Sequence, residues 1–273
     1  MTDVNVQTKG VKMPAIAVLV KHVPDTWSEK SLEPDFTLQR EGVDEVLDEV
    51  NEFAVEQALR LKEQLEGSEV VAVTVGPERS TEALRRAIAM GCDRAILVAD
   101  DAIAGADVLG TTWVLTNALN TIEDLQLIVC GSGSSDGAMG AIPGLLSEYR
   151  QVPALTYCVE SSIEGNTLLA KRVTNAGVTE LSASLPAILS VTDKAAAPRF
   201  PNFKSLAAAK KAEIPTLTLA DLGVEPTQVG LNYSATVVQN AEVHPPREQG
   251  EMIYDHGQGA AAIADYLEQE NLI

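Results

Sequence analysis

Short β-rich apolar runs alternate with helix-length amphipathic segments through the first 150 residues, and no other feature of the chain constrains its fold as tightly. Strands are expected at 16–20, 70–75, 95–98 and 127–130. They are almost unbroken stretches of Val, Ile, Leu and Ala, the pattern of strands covered on both faces. Between them Ala54, Ala58, Leu61 and Leu65 recur at helical spacing, and Leu84, Ala87 and Ile88 do so in the next crossover. Gly67 and Gly91 are expected to close these two helices as C-caps. Further helices are expected over 107–121 and 139–149. The pattern is that of successive βαβ units, which predicts a doubly wound, mostly parallel α/β sheet.

The rhythm changes after Pro153. Strand-like runs at 154–159, 167–173 and 178–184 are separated by Glu164-Gly165-Asn166 and Asn175-Ala176-Gly177, which predicts antiparallel hairpins extending the sheet. An apolar run at 187–191 leads into a loop holding Pro198 and Pro201, then into a basic, Ala-rich helix ending at Lys210-Lys211. From Pro215 onward Pro226, Pro245 and Pro246 break up the chain, and a short helix is expected at 260–270. The expected organisation is a flexible N-terminal extension over 1–13, an α/β domain over 14–214 and a C-terminal arm over 215–273.

Acidic residues outnumber basic ones 39 to 20, for a formal charge of −19, so the surface repels nucleic acid and anionic lipid. Charged residues interrupt every hydrophobic stretch before the ~20 residues that a membrane span needs. Residues 1–13 hold no apolar block of signal-peptide type. No nucleic-acid partner and no membrane insertion are expected. Cys92, Cys130 and Cys158 form no C-x-x-C spacing and lie in or beside apolar runs, which predicts inert buried thiols in a reducing cytoplasm.

Open parallel sheets bind ligands beyond the carboxyl ends of their strands, so the loops after Val20, Val75 and Cys130 are the candidates. The third, residues 131–141, reads GSGSSDGAMGA. Small residues let backbone N–H groups approach a phosphate, the serines add donors, and the following helix offers its N-terminus. A flexible surface turn could have the same composition, and the residues alone leave both readings open. No G-x-x-x-x-G-K-[ST] is present, and no G-x-G-x-x-G follows the first strand, which disfavours a P-loop ATPase and a dinucleotide-binding domain. His22, His244 and His256 show no metal-ligand spacing. Neither a catalytic constellation nor a metal site is expected, and His22 is expected to orient the first loop.

Several strings, in order along the chain, resemble the β subunits of electron transfer flavoproteins, actinobacterial members above all. They are VLVKHVPDTW at 18–27, DEVNEFAVEQALRLK at 48–62, GPERSTEALRRAIAMG at 76–91, the loop at 131, and PRFPNFKSLAAAKK at 198–211. The resemblance implies an adenine-nucleotide α-hydrolase-like fold. It further implies a structural AMP, and an α subunit that carries FAD and pairs with this chain. Electrons would pass from flavin dehydrogenases, such as those for acyl-CoA, through FAD to a quinone oxidoreductase.

The resemblance places AMP on Leu19, Lys21, Asp48, Asn51 and Val75, with the phosphate end on Gly131, Ser134, Asp136, Gly137, Ala138, Met139, Gly140 and Ala141. It sets Thr26 and Val50 near the flavin, where many members have an aromatic; either Trp27 substitutes for it here or the flavin environment differs. Phe200, Phe203, Leu206, Ala207 and Ala208 fall on the family's partner-recognition segment, and a plain core role for the two phenylalanines is the competing reading. The C-terminal arm is expected to pack on the partner subunit. The chain departs from the family at Ala196 and Ala197, where Asn-Glu is common, and at Val173, where a glutamate is common; both changes bear on docking of the flavin domain. A bifurcating member would hold a second FAD in place of AMP, but the loop lacks the longer acidic run of that class. Two other functions compete. The loop superficially resembles that of ATP-pyrophosphatase adenylating enzymes, although those carry it after the first strand. A stand-alone AMP sensor would leave the segment at 198–211 unexplained.

Overall fold

The computed structural model describes residues 13–246, 250 and 252–273. The extension expected over 1–13 lies, apart from Met13, outside the described residues. Two compact units divide the chain at Val238.

The first unit is built on a nine-stranded sheet. Its parallel part comprises β1 (Ala15–Leu19), β4 (Glu69–Val75), β5 (Arg94–Val98), β6 (Leu125–Gly131) and β10 (Ala187–Val191). The strand β7 (Ala154–Glu164) pairs parallel to β10 and then carries the antiparallel meander of β8 (Thr167–Thr174) and β9 (Gly177–Ser184). A two-residue strand, β11 (Thr216–Leu217), adds to β5 at the other edge, giving the order β11-β5-β4-β1-β6-β10-β7-β8-β9. A separate small sheet pairs β2 (His22–Pro24) with β3 (Glu45–Leu47).

Alternation along each central strand sends side chains to two cores. Ile16, Val18, Val70, Ala72, Leu127 and Val129 pack with Ala54, Ala58 and Leu61 of α1 (Glu49–Lys62) and with Leu84 and Ala87 of α2 (Thr81–Met90). Ala17, Val71, Val73, Ile96 and Ile128 face the opposite way, onto Val114, Ala118 and Leu119 of α3 (Val108–Asn120) and Leu146 of α4 (Ile142–Arg150). Burial on both faces accounts for the near-continuous apolar strands.

Local chemistry sets the helix ends. Asp107 caps α3 by accepting from the Leu109 and Gly110 N–H groups, and Gly91, at φ +131°, ends α2 with its N–H directed at Ala87 and Ile88. Gly67 does not play that part for α1. The helix stops at Lys62, and Gly67, at φ +71°, sits in the turn before β4. The fourth helix begins at Ile142 rather than 139, because Ala138 (φ +48°) and Gly140 (φ +64°) hold the preceding residues out of helical geometry, and Pro143 suits the first turn. The chain after Pro215, read from sequence as the start of an arm, supplies β11 and buries Leu219, Val224 and Val229 in the α3 core. The last helix of this unit, α5 (Phe203–Lys211), is capped by Asn202. Among its described residues the second unit holds one helix, α6 (Gly259–Gln269).

Candidate functional site

In the sheet β1 lies between β4 and β6, so successive crossovers leave it in opposite directions and open a crevice at the carboxyl ends of β1 and β6. Lys21 follows β1, the 131–141 loop follows β6, and the N-terminus of α1 enters from the side.

Asp48 binds these parts together. Fully buried, it accepts a hydrogen bond from the Val50 N–H at 3.1 Å, capping α1, and another from the Ser135 N–H at 2.7 Å. Its own N–H donates to the Lys21 carbonyl at 3.0 Å. One carboxylate thus satisfies donors of a helix and of the loop at once. Asn51 accepts from the Lys21 N–H at 2.7 Å, so α1 also fixes the exit of β1.

Gly131 is required by a close approach. A Cβ there would lie 2.8 Å from Asn51 Nδ2 and 2.9 Å from Val50 Cγ1. At Gly137 the space is open, with only Ser134 Oγ at 3.4 Å, and a Cβ on Gly133 would meet nothing nearer than 3.8 Å. The loop is therefore packed tightly where it leaves the sheet and is roomy at its tip.

Asp136 bridges two cations, Lys21 Nζ at 2.7 Å and an Arg40 Nη at 2.6 Å. Burial alone would raise its carboxyl, but the Lys21 ammonium, the Ser134 hydroxyl and the Arg40 guanidinium outweigh that effect and bring it down to about 2. Arg40 also reaches Glu45 on β3, which takes Arg79 and lies 3.5 Å from His22 Nδ1. Burial lowers the His22 pKa despite the pull of Glu45, so the imidazole is neutral. Lys21, Arg40 and Arg79 are thus each paired with Asp136 or Glu45. Attraction for an anion is left to loop N–H groups and the N-terminus of α4, whose cap residue Ala141 brings no side-chain acceptor. Small residues and neutral donors of this kind fit a phosphate monoester lying along the loop.

Leu19, Lys21, Asp48, Asn51, Val50, Gly131, Ser134 and Asp136 are brought together, while Val75 ends β4 beside them. Gly137, Ala138 and Met139 form the exposed tip, and Gly140 and Ala141 lead into α4. Thr26 is not gathered in. It lies on an exposed turn closed by the Ser28 N–H to the Asp25 carbonyl, and no hydrogen bond joins it to the 131–141 loop among the described residues. Trp27 beside it is also exposed.

Arg40, Glu45 and Arg79 escaped the sequence reading. Arg40 stands 96 positions from Asp136 in an ordinary charged stretch, and no spacing signals such a pair. Residues 133–137 also match G-x-S-x-G, which the expectation of no catalytic constellation passed over. Ser135 does not have the strained backbone of a nucleophile elbow, and its recorded hydrogen bond runs from its N–H to Asp48, with no histidine involved.

The segment expected to recognise a partner is displayed on the surface. Phe200 is 92% exposed and Phe203 94%, with Leu206, Ala207 and Ala208 exposed along the same helix, so neither phenylalanine belongs to the core of this chain. Cys92, Cys130 and Cys158 are buried, and burial pushes their thiols up to about 12, 12 and 11 respectively, which keeps them protonated. No helix among the described residues is long and apolar enough to cross a membrane.

Comparison with known proteins places this architecture. Residues 35–222 match the family model described as the electron transfer flavoprotein domain. The electron transfer flavoprotein subunit beta of Mycobacterium tuberculosis is 46% identical over 267 residues, covering 96% of this chain and all of the relative. The protein of the same name from Thermoanaerobacterium thermosaccharolyticum is 32% identical, with 94% and 97% of the two chains covered. The Caffeyl-CoA reductase-Etf complex subunit CarD of Acetobacterium woodii is 30% identical, with 94% and 99% covered. With the parallel sheet, its antiparallel extension and the loop at 131–141 already in place, the chain belongs to the electron transfer flavoprotein family as a β subunit, an electron-carrier component that pairs with an α subunit in a flavoprotein.

Proposed function

We propose that this β subunit holds one AMP against the 131–141 loop, pairs with an α subunit that carries the FAD, and relays electrons in the cytoplasm. The donors would be flavin dehydrogenases, such as those for acyl-CoA, and the acceptor a membrane quinone oxidoreductase. The observation that carries the AMP assignment is the tie of the loop to Asp48 at the switch point of the sheet, with open space over Gly133 and Gly137. Leu19, Lys21, Asn51 and Val75 would border the adenosine, and the backbone N–H groups of 139–141 would take the phosphate, while Ser134 accepts from the Gly137 and Ala138 N–H groups and fixes the tip. With Lys21, Arg40 and Arg79 already paired to carboxylates, no cation among them is left for a second phosphate, which favours a single phosphate group over the two of a dinucleotide. Val50, packed by Gly131, and Thr26 with its neighbour Trp27 would lie toward the flavin.

Phe200, Phe203, Leu206, Ala207 and Ala208 would form the surface that meets the dehydrogenase, a reading supported by the exposure of both rings. The second unit would pack on the α subunit. Ile263, Tyr266, Leu272 and Ile273 are exposed there, an apolar surface that a partner would cover. The test is to express this chain with its α subunit, denature the yellow complex and quantify the nucleotides released. One FAD and one AMP per heterodimer is the expected result. Two FAD and no AMP would make the protein a bifurcating type, and FAD alone would remove the AMP assignment.

A further inference from the structure

An apolar ring that stands in water is held there by something. Arg199, the residue before Phe200, donates from Nε to Glu56 Oε2 at 2.7 Å, from an Nη to Glu56 Oε1 at 3.2 Å, and from its backbone N–H to Glu56 Oε2 at 3.2 Å. Glu56 lies in the middle of α1, is 3% exposed, and also accepts from Arg60 at 2.8 Å. Burial acts to raise the Glu56 carboxyl, but Arg199 and Arg60 together draw it below the ordinary range, so a charged carboxylate sits under the loop.

The far end of the segment is fixed separately. Arg85 of α2 donates to the Ala209, Lys210 and Ala212 carbonyls, at 2.6, 3.0 and 3.3 Å, and so closes the C-terminus of α5. Between these anchors the Asn202 side chain accepts from the Ser205 N–H at 2.9 Å. Pro201 removes one backbone freedom. The rings themselves make little contact with the chain, and their placement follows from where residues 199 and 202 are held.

We infer that Glu56 is a positioning residue for dehydrogenase docking: by fixing Arg199 through three hydrogen bonds it sets the path from 199 to 203 and presents Phe200 and Phe203 to the partner. This inference rests on the docking role proposed above for 200–208. A loop already ordered in its binding conformation loses less entropy when the partner arrives, so the contribution of Glu56 shows in binding and not in the chemistry of electron transfer. Glu56 lies on the same helix whose cap, Asp48, holds the nucleotide loop, so α1 carries both functional surfaces.

The test uses the FAD-containing heterodimer with an acyl-CoA dehydrogenase reduced by its acyl-CoA substrate. Arg199→Ala is the primary variant, because it spares the buried Glu56 with its Arg60 partner. Glu56→Gln, Arg199→Lys and Phe203→Ala accompany it. For Arg199→Ala the expected result is amide exchange over 200–206 faster by roughly tenfold. The KM for the heterodimer should rise roughly three- to tenfold, with kcat, flavin content and dithionite reduction unchanged. Arg199→Lys should recover part of the loss, and Glu56→Gln should reproduce the Arg199→Ala phenotype. Unchanged exchange or unchanged KM in Arg199→Ala, while Phe203→Ala raises KM, would overturn the inference and leave the docking role standing. Unchanged KM in Phe203→Ala would remove the docking role itself, and the inference with it.

Discussion

The loop at 131–141, proposed to hold a nucleotide, and the segment at 200–208, proposed to dock a dehydrogenase, both follow strands near the carboxyl end of the sheet, yet they are built on opposite plans. The first is tied to three other parts of the chain through Asp48, Lys21 and Arg40, and the carboxylates it uses are almost wholly buried. The second is tied at its two ends, by Glu56 and Arg85, and turns its largest side chains to solvent. A loop that retains a nucleotide needs fixed backbone donors, since each small displacement loses hydrogen bonds. A surface that captures and releases a partner needs exposed apolar anchors with few contacts of its own. Substitutions in the first region should therefore cost stability and cofactor, and substitutions in the second should cost partner exchange alone.

That contrast can be broken at graded positions. Asp48→Ala removes a helix cap and leaves the Ser135 N–H without its acceptor, so we expect a loss of about 2–4 kcal/mol in urea unfolding of the heterodimer together with loss of AMP. Retention of both would mean that the loop holds its shape without Asp48. Gly131→Ala forces Asn51 and Val50 aside and should cost about 1–3 kcal/mol by the same assay, whereas Gly133→Ala, with open space around it, should cost under about 1 kcal/mol.

Acid should act through Asp136. Its carboxyl is drawn down from the ordinary 3.8 to about 2, so its contribution is complete above the unfolded value and is lost as pH falls through the folded one. Because water screens the partly exposed Lys21 and Arg40, about 1–2 kcal/mol should disappear between about pH 5 and pH 2. In Asp136→Asn that part of the pH dependence should flatten. The smallest effect is expected for Ser135→Ala, whose recorded hydrogen bond comes from the backbone. Its AMP content and melting temperature should match the parent, and a clear fall in either would show that the hydroxyl contacts the ligand.

Much of this was legible in the residues because it is local. The near-continuous apolar strands, the Gly91 stop and the glycine turns of the meander each act within a few positions, and each appears where the sequence places it. The late start of α4 depended on left-handed backbone at Ala138 and Gly140, which a Gly/Ser-rich run does not announce. Arg40, Glu45 and Arg79 were invisible because their partners come from other loops, and a lone charged residue carries no record of what it will meet. The same is true of Arg199 and Glu56, 143 positions apart. The segment after Pro215 reads as an arm by composition, yet two strand residues and three buried side chains join it to the core.

The most direct test of the two-plan account is Phe203→Ala in the intact heterodimer, measured for FAD, AMP, melting temperature and rates of flavin reduction. The account predicts unchanged cofactor content and melting temperature, unchanged reduction by dithionite, and weaker reduction by the dehydrogenase equivalent to about 2 kcal/mol or more of lost binding. A fall in stability with loss of cofactor, or dehydrogenase reduction at the parent rate, would contradict it.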